Sequence, residues 1–166
     1  MKKVGVVMGS ASDLPVVEKA VAVLKEYGVP AEVRVLSAHR CPTEARDFAV
    51  TAREGGFGVL IALAGMAAHL AGALAANTTL PVIGVPCKGG ATDGVDALFS
   101  TVMMPPGIPV ATVAVDGGKN AALLALQILA VTDGALAEKL DRARAEGAEA
   151  VLKTDADVRA KYSVNI

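Results

Sequence analysis

Histidine is the side chain best suited to carrying a proton near neutrality, because its unperturbed pKa lies closest to pH 7. The chain contains two, His39 in Ser37-Ala38-His39-Arg40 and His69 in Ala64-Gly65-Met66-Ala67-Ala68-His69-Leu70, each just past an apolar, strand-like run. Acid/base chemistry at a strand end is one reading of such a placement. A packed ring donating a single hydrogen bond is the other.

The neighbours of His39 add an anion site. Arg40 offers a guanidinium that can grip a phosphate in two places, and Ser37 offers a hydroxyl. A second loop, Gly9-Ser10-Ala11-Ser12-Asp13, also follows an apolar run. There Gly9 permits a tight turn, Ser10 and Ser12 supply hydroxyls, and the free N–H groups of the following helix point at a bound anion. Ser12 and Asp13 acting only as helix caps is the reading without a ligand. A phosphorylated small molecule on Ser10, Ser12, Ser37 and Arg40 would place its reacting end near His39 and leave Asp13 for a sugar hydroxyl or a polar ring substituent. The loops carry neither a Walker A sequence nor GxGxxG, which disfavours a nucleoside triphosphate or a dinucleotide. No nucleophile elbow surrounds the serines. Two histidines without ligand spacing, and Cys41 and Cys87 without a CxxC pair, argue against a metal site and for reduced thiols.

Positioning these loops falls to alternating elements. Strand-like runs at 4–8, 32–36, 59–64, 81–85 and 110–115 are each followed by a helical stretch, at 14–27, 42–54, 67–76, 93–103 and 120–131. Repeated βα units predict an α/β fold, a three-layer sandwich in which helices cover both faces of a parallel sheet. In the first helix Val17, Ala20, Val21 and Leu24 form one apolar stripe, Pro15 marks the first turn, and Gly28 with Pro30 mark the stop. Pro42 and Gly55-Gly56 bracket the second helix in the same way. In an open α/β sheet ligands bind beyond the carboxyl ends of the strands, where both histidine loops and Gly9–Asp13 fall. The Gly-rich loop Cys87–Asp93 is either a plain connection or a flap that closes on a ligand, with Lys88 as an electrostatic contact. Met103-Met104-Pro105-Pro106-Gly107 adds an apolar wall or ordinary packing. The small-residue third helix suits close approach at an interface or pocket.

Residues 1–132 therefore read as the catalytic domain. Residues 133–166 read as a charged terminal helix, with Leu136, Leu140 and Ala143 as its stripe, and a polar tail from Lys153, packing on the same domain or a neighbouring subunit. With 166 residues, 53% of them apolar, the chain can fill a core. A net charge of −1 with interspersed charges gives no basic stripe, and three Phe, two Tyr and no Trp offer little for stacking bases, which argues against a nucleic-acid partner. No run reaches the roughly 18 apolar residues of a membrane span, and the first apolar run is too short for a signal peptide, so the expected compartment is the cytoplasm.

The segments MGSASD, SAHR, AGMAAHLAG, LPVIGVP, DALFSTVMMPPGIPVATVAV and KNAALLALQILA occur in this order between Met8 and Val131. Together they resemble the N5-carboxyaminoimidazole ribonucleotide mutase family of purine biosynthesis, the PurE proteins. The resemblance implies a flavodoxin-like subunit, a homo-octamer with sites between subunits, and no metal or organic cofactor. The implied reaction moves a carboxylate from the exocyclic nitrogen of an aminoimidazole ribonucleotide to ring carbon four, with carbon dioxide as intermediate. His39 matches the family's proton carrier. Ser10, Asp13 and Arg40 match its substrate-binding residues, Ser12 and Ser37 join them as further contacts, and His69 matches a pocket histidine.

Departures stand at Leu63, Met66 and Ala71, where the mutase type has two glycines and a proline, at Cys41 for threonine, and at Met103 for glutamine. Met66 adds bulk at the implied carbon dioxide pocket. A second branch, resembling the animal enzyme, carboxylates with free carbon dioxide and has SAHK without the second histidine. Arg40 and His69 match the mutase, and Lys119 matches that other branch. Outside the family stand a non-catalytic phosphometabolite-binding module, which needs no titrating His39, and a flavin-binding relative, which needs aromatic rings that are scarce here.

Overall fold

The structure is a computed structural model that describes residues 1–163. Its order is β1 (Lys3–Met8), α1 (Leu14–Tyr27), β2 (Ala31–Val35), α2 (Pro42–Thr51), β3 (Phe57–Gly65), α3 (Leu70–Ala75), β4 (Val82–Cys87), α4 (Val95–Val102), β5 (Ala111–Thr112), α5 (Gly118–Ala130) and α6 (Gly134–Tyr162). Two compact units divide it, Met1–Leu129 and the chain from Ala130 on.

Every strand pair in the first unit is parallel, and the spatial order is β2-β1-β3-β4-β5. This is the flavodoxin-like form of the doubly wound sheet. Strand alternation builds its two faces. Val7, Leu60, Ala62 and Val82 share one apolar cluster with Ala45, Phe48 and Ala49 of α2 and with Leu70 and Leu74 of α3. The alternate residues Val4, Val6, Val59, Ile61 and Ile83 are equally buried and face the other way. The right-handed crossover from β1 to β2 places α1 over that second face. Each fully buried Leu or Ile in β3 contributes about 1.5–3 kcal/mol.

Two glycines mark where the layers meet backbone-close. A Cβ on Gly84 of β4 would stand 2.3 Å from Thr101 Cγ2 of α4, and one on Gly118 would stand 2.3 Å from the Val16 carbonyl oxygen of α1. Neither position has room for a larger residue.

The expected elements differ from these in instructive ways. β5 has two residues rather than the six of 110–115. Gly84 O accepts from Val113 N, so β4 turns that parity toward β5, and the next residue of the same parity is Pro86, which has no N–H to donate. The chain nevertheless runs on beside β4 and returns a bond from Asp116 N to Pro86 O. Val21 is half-buried, and Val16, Val23 and Tyr27 take its place on the buried face of α1. Gly28 closes α1 with φ 74°, as its position predicted.

Described by itself, α6 begins with Asp133 Oδ1 accepting from Leu136 N and continues to Tyr162, so the expected polar tail is helical up to that residue. Residues 150–162 contain neither Gly nor Pro, and Asp155 pairs with Arg159 one turn on, so nothing stops the helix. Leu136 is buried, Leu140 half-buried and Ala143 exposed. Residues 164–166 of the expected tail lie outside the described residues.

Candidate functional site

The strand order reverses its winding at β1 and β3, and a cleft of about 470 Å³ opens there at the carboxyl ends of the strands. Its walls include Ser10, Ser12, Asp13, Ser37, His39, Arg40 and His69, so all seven residues singled out in the sequence meet in one place. A larger hollow of about 910 Å³ lies at the opposite end of the sheet, beside Leu80–Val82 and Gly107–Ala111. It holds Arg53, which donates to Thr79 Oγ1 at 2.9 Å, but neither histidine. The smaller cleft is where the chemistry-bearing groups converge.

β1 delivers the first wall. After Gly9 the chain enters a single 3₁₀ turn, Ala11–Asp13, whose N-terminus is capped by Ser10 Oγ accepting from Ser12 N at 3.3 Å. The expected capping of α1 by Ser12 or Asp13 is not made. Asp13 stands at the N-cap position, but its side chain makes no cap bond; instead its Oδ1 accepts from Ser12 Oγ at 3.5 Å. The carboxyl is buried, and burial raises its pKa above the ordinary value, with hydrogen bonds from Ser10 and Ser12 opposing and the charge of Asp116 adding to the rise.

β2 delivers the second wall through a tight turn. Cys41 N donates to Ser37 O at 2.8 Å and Ser37 N donates to Cys41 Sγ at 3.0 Å, which folds His39 and Arg40 over the end of the sheet. Arg40 then ties the two walls together. Its Nη2 donates to Gly9 O at 2.9 Å and its Nε to Ser37 Oγ at 3.3 Å. The remaining guanidinium N–H groups are free to take an anion.

β3 delivers the third wall. Met66 adopts φ 54°, a left-handed conformation that costs a side chain of this size about 1–2 kcal/mol. Ala68 N donates to Met66 O at 2.8 Å and His69 N to Ala67 O at 2.7 Å, a cramped turn that sets His69 at the mouth of α3. The result is a parallel pair of imidazoles, with His39 and His69 centroids 5.8 Å apart and planes 10° from parallel. Both residues are exposed. Among the described residues neither ring hydrogen-bonds to the protein, so the ring nitrogens are open to a ligand.

Behind the β1 turn lies a group that sequence reasoning left unassigned. Asp116 has φ 55°, and its Oδ1 accepts from Lys88 N at 3.0 Å, which fastens the start of the Cys87–Asp93 loop. Burial, with the charges of Asp13 and Asp116, pushes the Cys87 thiol up to about 12. The signal for Asp116 was a polar Asp-Gly-Gly after an apolar run, but its link to Asp13 depends on strand order. Lys88 Nζ pairs with Asp93 at 3.2 Å, with both side chains well exposed. Met104 packs under α3 at Gly72, while Met103 is exposed. The cleft lining includes no Phe or Tyr.

Comparison with known proteins agrees with this geometry. Residues 3–150 match the family model described as AIR carboxylase. The chain is 56% identical over 144 residues to the N5-carboxyaminoimidazole ribonucleotide mutase of Pyrococcus abyssi, covering 87% of this chain and 83% of that one. It is 52% identical over 149 residues to the phosphoribosylaminoimidazole carboxylase of Saccharomyces cerevisiae, covering 90% of this chain and 26% of that longer protein. The crystal structure of Treponema denticola PurE superposes with a TM-score of 0.84 at 27% identity, covering 94% of this chain and 98% of that one. By motif order, fold and relatives alike, this chain belongs to the AIR carboxylase family, the family of the PurE proteins.

Proposed function

We propose that the chain is an N5-carboxyaminoimidazole ribonucleotide mutase, converting N5-carboxyaminoimidazole ribonucleotide to 4-carboxy-5-aminoimidazole ribonucleotide. The observation that carries the reading is the stacked His39–His69 pair set against the Ser10–Ser37–Arg40 anion cradle, in a chain 56% identical to an archaeal protein named as that mutase. The phosphate lies on Arg40 with Ser10, Ser12 and Ser37, and Asp13 takes a sugar hydroxyl or a polar ring substituent. The carboxylate leaves the exocyclic nitrogen as carbon dioxide and the bonding electron pair returns to that nitrogen, which gains a proton. Ring carbon four, enamine-like, then attacks carbon dioxide and gives up its own proton. His39 supplies the first proton and accepts the second, so no net charge accumulates on the enzyme. His69 holds the ring of His39 in place and borders the reacting end. As the resemblance implies, the reading uses no cofactor or metal.

As in the resemblance, the reading includes a homo-octamer, and the cytoplasm as its place. Among the described residues no helix is long and apolar enough to cross a membrane. Direct carboxylation of aminoimidazole ribonucleotide by free carbon dioxide is the second reading, favoured by Lys119 and by the similarity to the yeast carboxylase. Product formation from the N5-carboxylated substrate, run beside aminoimidazole ribonucleotide with bicarbonate and carbon dioxide, separates the two. Faster conversion of the carboxylated substrate supports the mutase, efficient use of carbon dioxide alone supports the carboxylase, and activity with neither overturns both.

A further inference from the structure

His39 and Arg40 are neighbours in the chain but are held in different ways. The Arg40 guanidinium has fixed partners of its own, Gly9 O at 2.9 Å and Ser37 Oγ at 3.3 Å. The His39 ring, among the described residues, makes no hydrogen bond to the protein. It stacks on His69 and is otherwise placed by the backbone beneath it. A proton carrier works only within hydrogen-bond reach of the reacting atom, so the geometry of that backbone bears on turnover.

That backbone is the turn from Ser37 to Cys41. It leaves the sheet after Leu36 N donates to Met8 O at 2.9 Å, and it enters α2 with Ala45 N donating to Cys41 O at 3.1 Å. Two bonds close it, Cys41 N to Ser37 O at 2.8 Å and Ser37 N to Cys41 Sγ at 3.0 Å. The main-chain bond is that of a single α-turn. The sulfur bond is the unexpected one, because Cys41 stands at the N-cap position of α2, where a side chain ordinarily accepts from the helix, and makes no such bond. Its sulfur turns back across the turn instead. Ala38 and Cys41 are half-buried against the apolar cluster that contains Ala45 and Phe48, whereas His39 and Arg40 between them are exposed. The main-chain bond fixes the span of the turn, from the Ser37–Ala38 peptide to the Arg40–Cys41 peptide. The sulfur bond adds the Leu36–Ser37 peptide, where the chain leaves β2, and so fixes the tilt of the crest that carries His39.

We infer that Cys41 is a positioning residue for the proton transfer, its sulfur holding the turn at the tilt from which His39 reaches substrate. This role rests on His39 being the proton carrier of the proposed reaction, and it falls to a side chain that does not itself line the cleft. Ser37 is half-buried, so water can take the place of the sulfur as acceptor when the sulfur is removed. The fold then survives, but a mobile water does not hold the tilt. Arg40 keeps its bond to Gly9 O in either case, so the loss falls on the chemical step and not on the grip of the phosphate.

The test uses the full-length protein, N5-carboxyaminoimidazole ribonucleotide and two replacements of nearly the same shape, Cys41→Thr, which keeps an acceptor, and Cys41→Val, which has none. Cys41→Ala repeats the loss with a side chain too small to clash. The threonine variant keeps kcat within about twofold of wild type, while the valine and alanine variants lose about tenfold or more, as expected when a reacting group is displaced by a fraction of an ångström. KM stays within about twofold throughout, the pattern of a loss confined to the chemical step. In a His39→Asn background Cys41→Val lowers the residual turnover no further, because the group it positions is already gone. Equal turnover in the threonine and valine variants, a loss that appears in KM instead of kcat, or losses that multiply in the double variant would each overturn the role of Cys41 and leave the mutase reading standing. A wild type that forms no product from the carboxylated substrate overturns the mutase reading, and the role of Cys41 with it.

Discussion

The imidazoles of His39 and His69 lie parallel, 5.8 Å between centroids and 10° between planes, although one follows β2 and the other follows β3. Those strands are not neighbours, because β1 runs between them. The pair therefore exists only when the sheet has its 2-1-3 order, and its spacing falls within the range in which aromatic rings attract. Stacking fixes the planes while leaving the ring nitrogens free. A proton carrier needs that combination, since a nitrogen engaged with the protein could not exchange its proton with substrate.

Arg40 is predicted to be irreplaceable by lysine. An ammonium has three N–H groups on one nitrogen, so bonds to Gly9 O and Ser37 Oγ would leave it one for a phosphate, whereas the guanidinium fork makes both from separate nitrogens and keeps three. Arg40→Lys is expected to raise KM for the phosphorylated substrate by about tenfold or more, with a smaller change in kcat. Steady-state kinetics checks this, and an unchanged KM would place the phosphate elsewhere.

Asp13 carries a stability effect whose sign follows from its raised pKa. Between the unfolded carboxyl value, about 3.9, and the higher folded value, the folded state keeps a proton that the unfolded state releases, so stability falls as pH rises through that window. Asp13→Asn removes this titration. Its melting temperature should exceed that of wild type at pH 7, and the gap should close as pH drops toward 4. A gap that is constant or widens at low pH contradicts the assignment.

Cys87, held up to about 12 by burial and by Asp13 and Asp116, is expected to stay a thiol throughout the physiological range. In the native protein at pH 8, iodoacetamide should leave Cys87 unmodified, and denaturation should expose it to labelling. Peptide mass mapping reads the outcome, and rapid native labelling of Cys87 would mean that the Asp13–Asp116 side of the cleft is open to solvent.

Gly118 sets the approach of α5 to α1. An added methyl group would meet the Val16 carbonyl oxygen at 2.3 Å, a backbone atom that moves only if a helix moves. Gly118→Ala is expected to destabilise by about 1–3 kcal/mol, measurable as a lower denaturant midpoint with an unchanged slope.

Local signals in the sequence were enough to place α1, because Pro15 and Gly28 act on their own residues and immediate neighbours. They were also enough to gather the site, since Ser10, Ser37, His39, Arg40 and His69 all follow apolar runs, and carboxyl strand ends converge in any parallel sheet. What escaped was set by partners distant in the chain. β5 is cut short by Pro86 on the neighbouring strand, and the influence of Asp116 on Asp13 requires β4 and β5 to lie on the same side of β1. The role of Asp13 as a cap failed for a nearer reason. The inserted 3₁₀ turn takes Ser10 as its cap and turns the Asp13 carboxyl inward.

The account depends most directly on His39 moving a proton rather than merely lining a pocket. Substituting His39→Asn keeps a polar side chain of similar size and removes the titrating group, so kcat and substrate affinity should be measured together on that variant. The expected result is a loss of turnover of about 10²–10⁴-fold, with binding of the phosphorylated substrate, measured by calorimetry, close to that of wild type. Turnover that survives the substitution would contradict the assignment of His39 and leave the cleft as a binding site with its chemistry elsewhere.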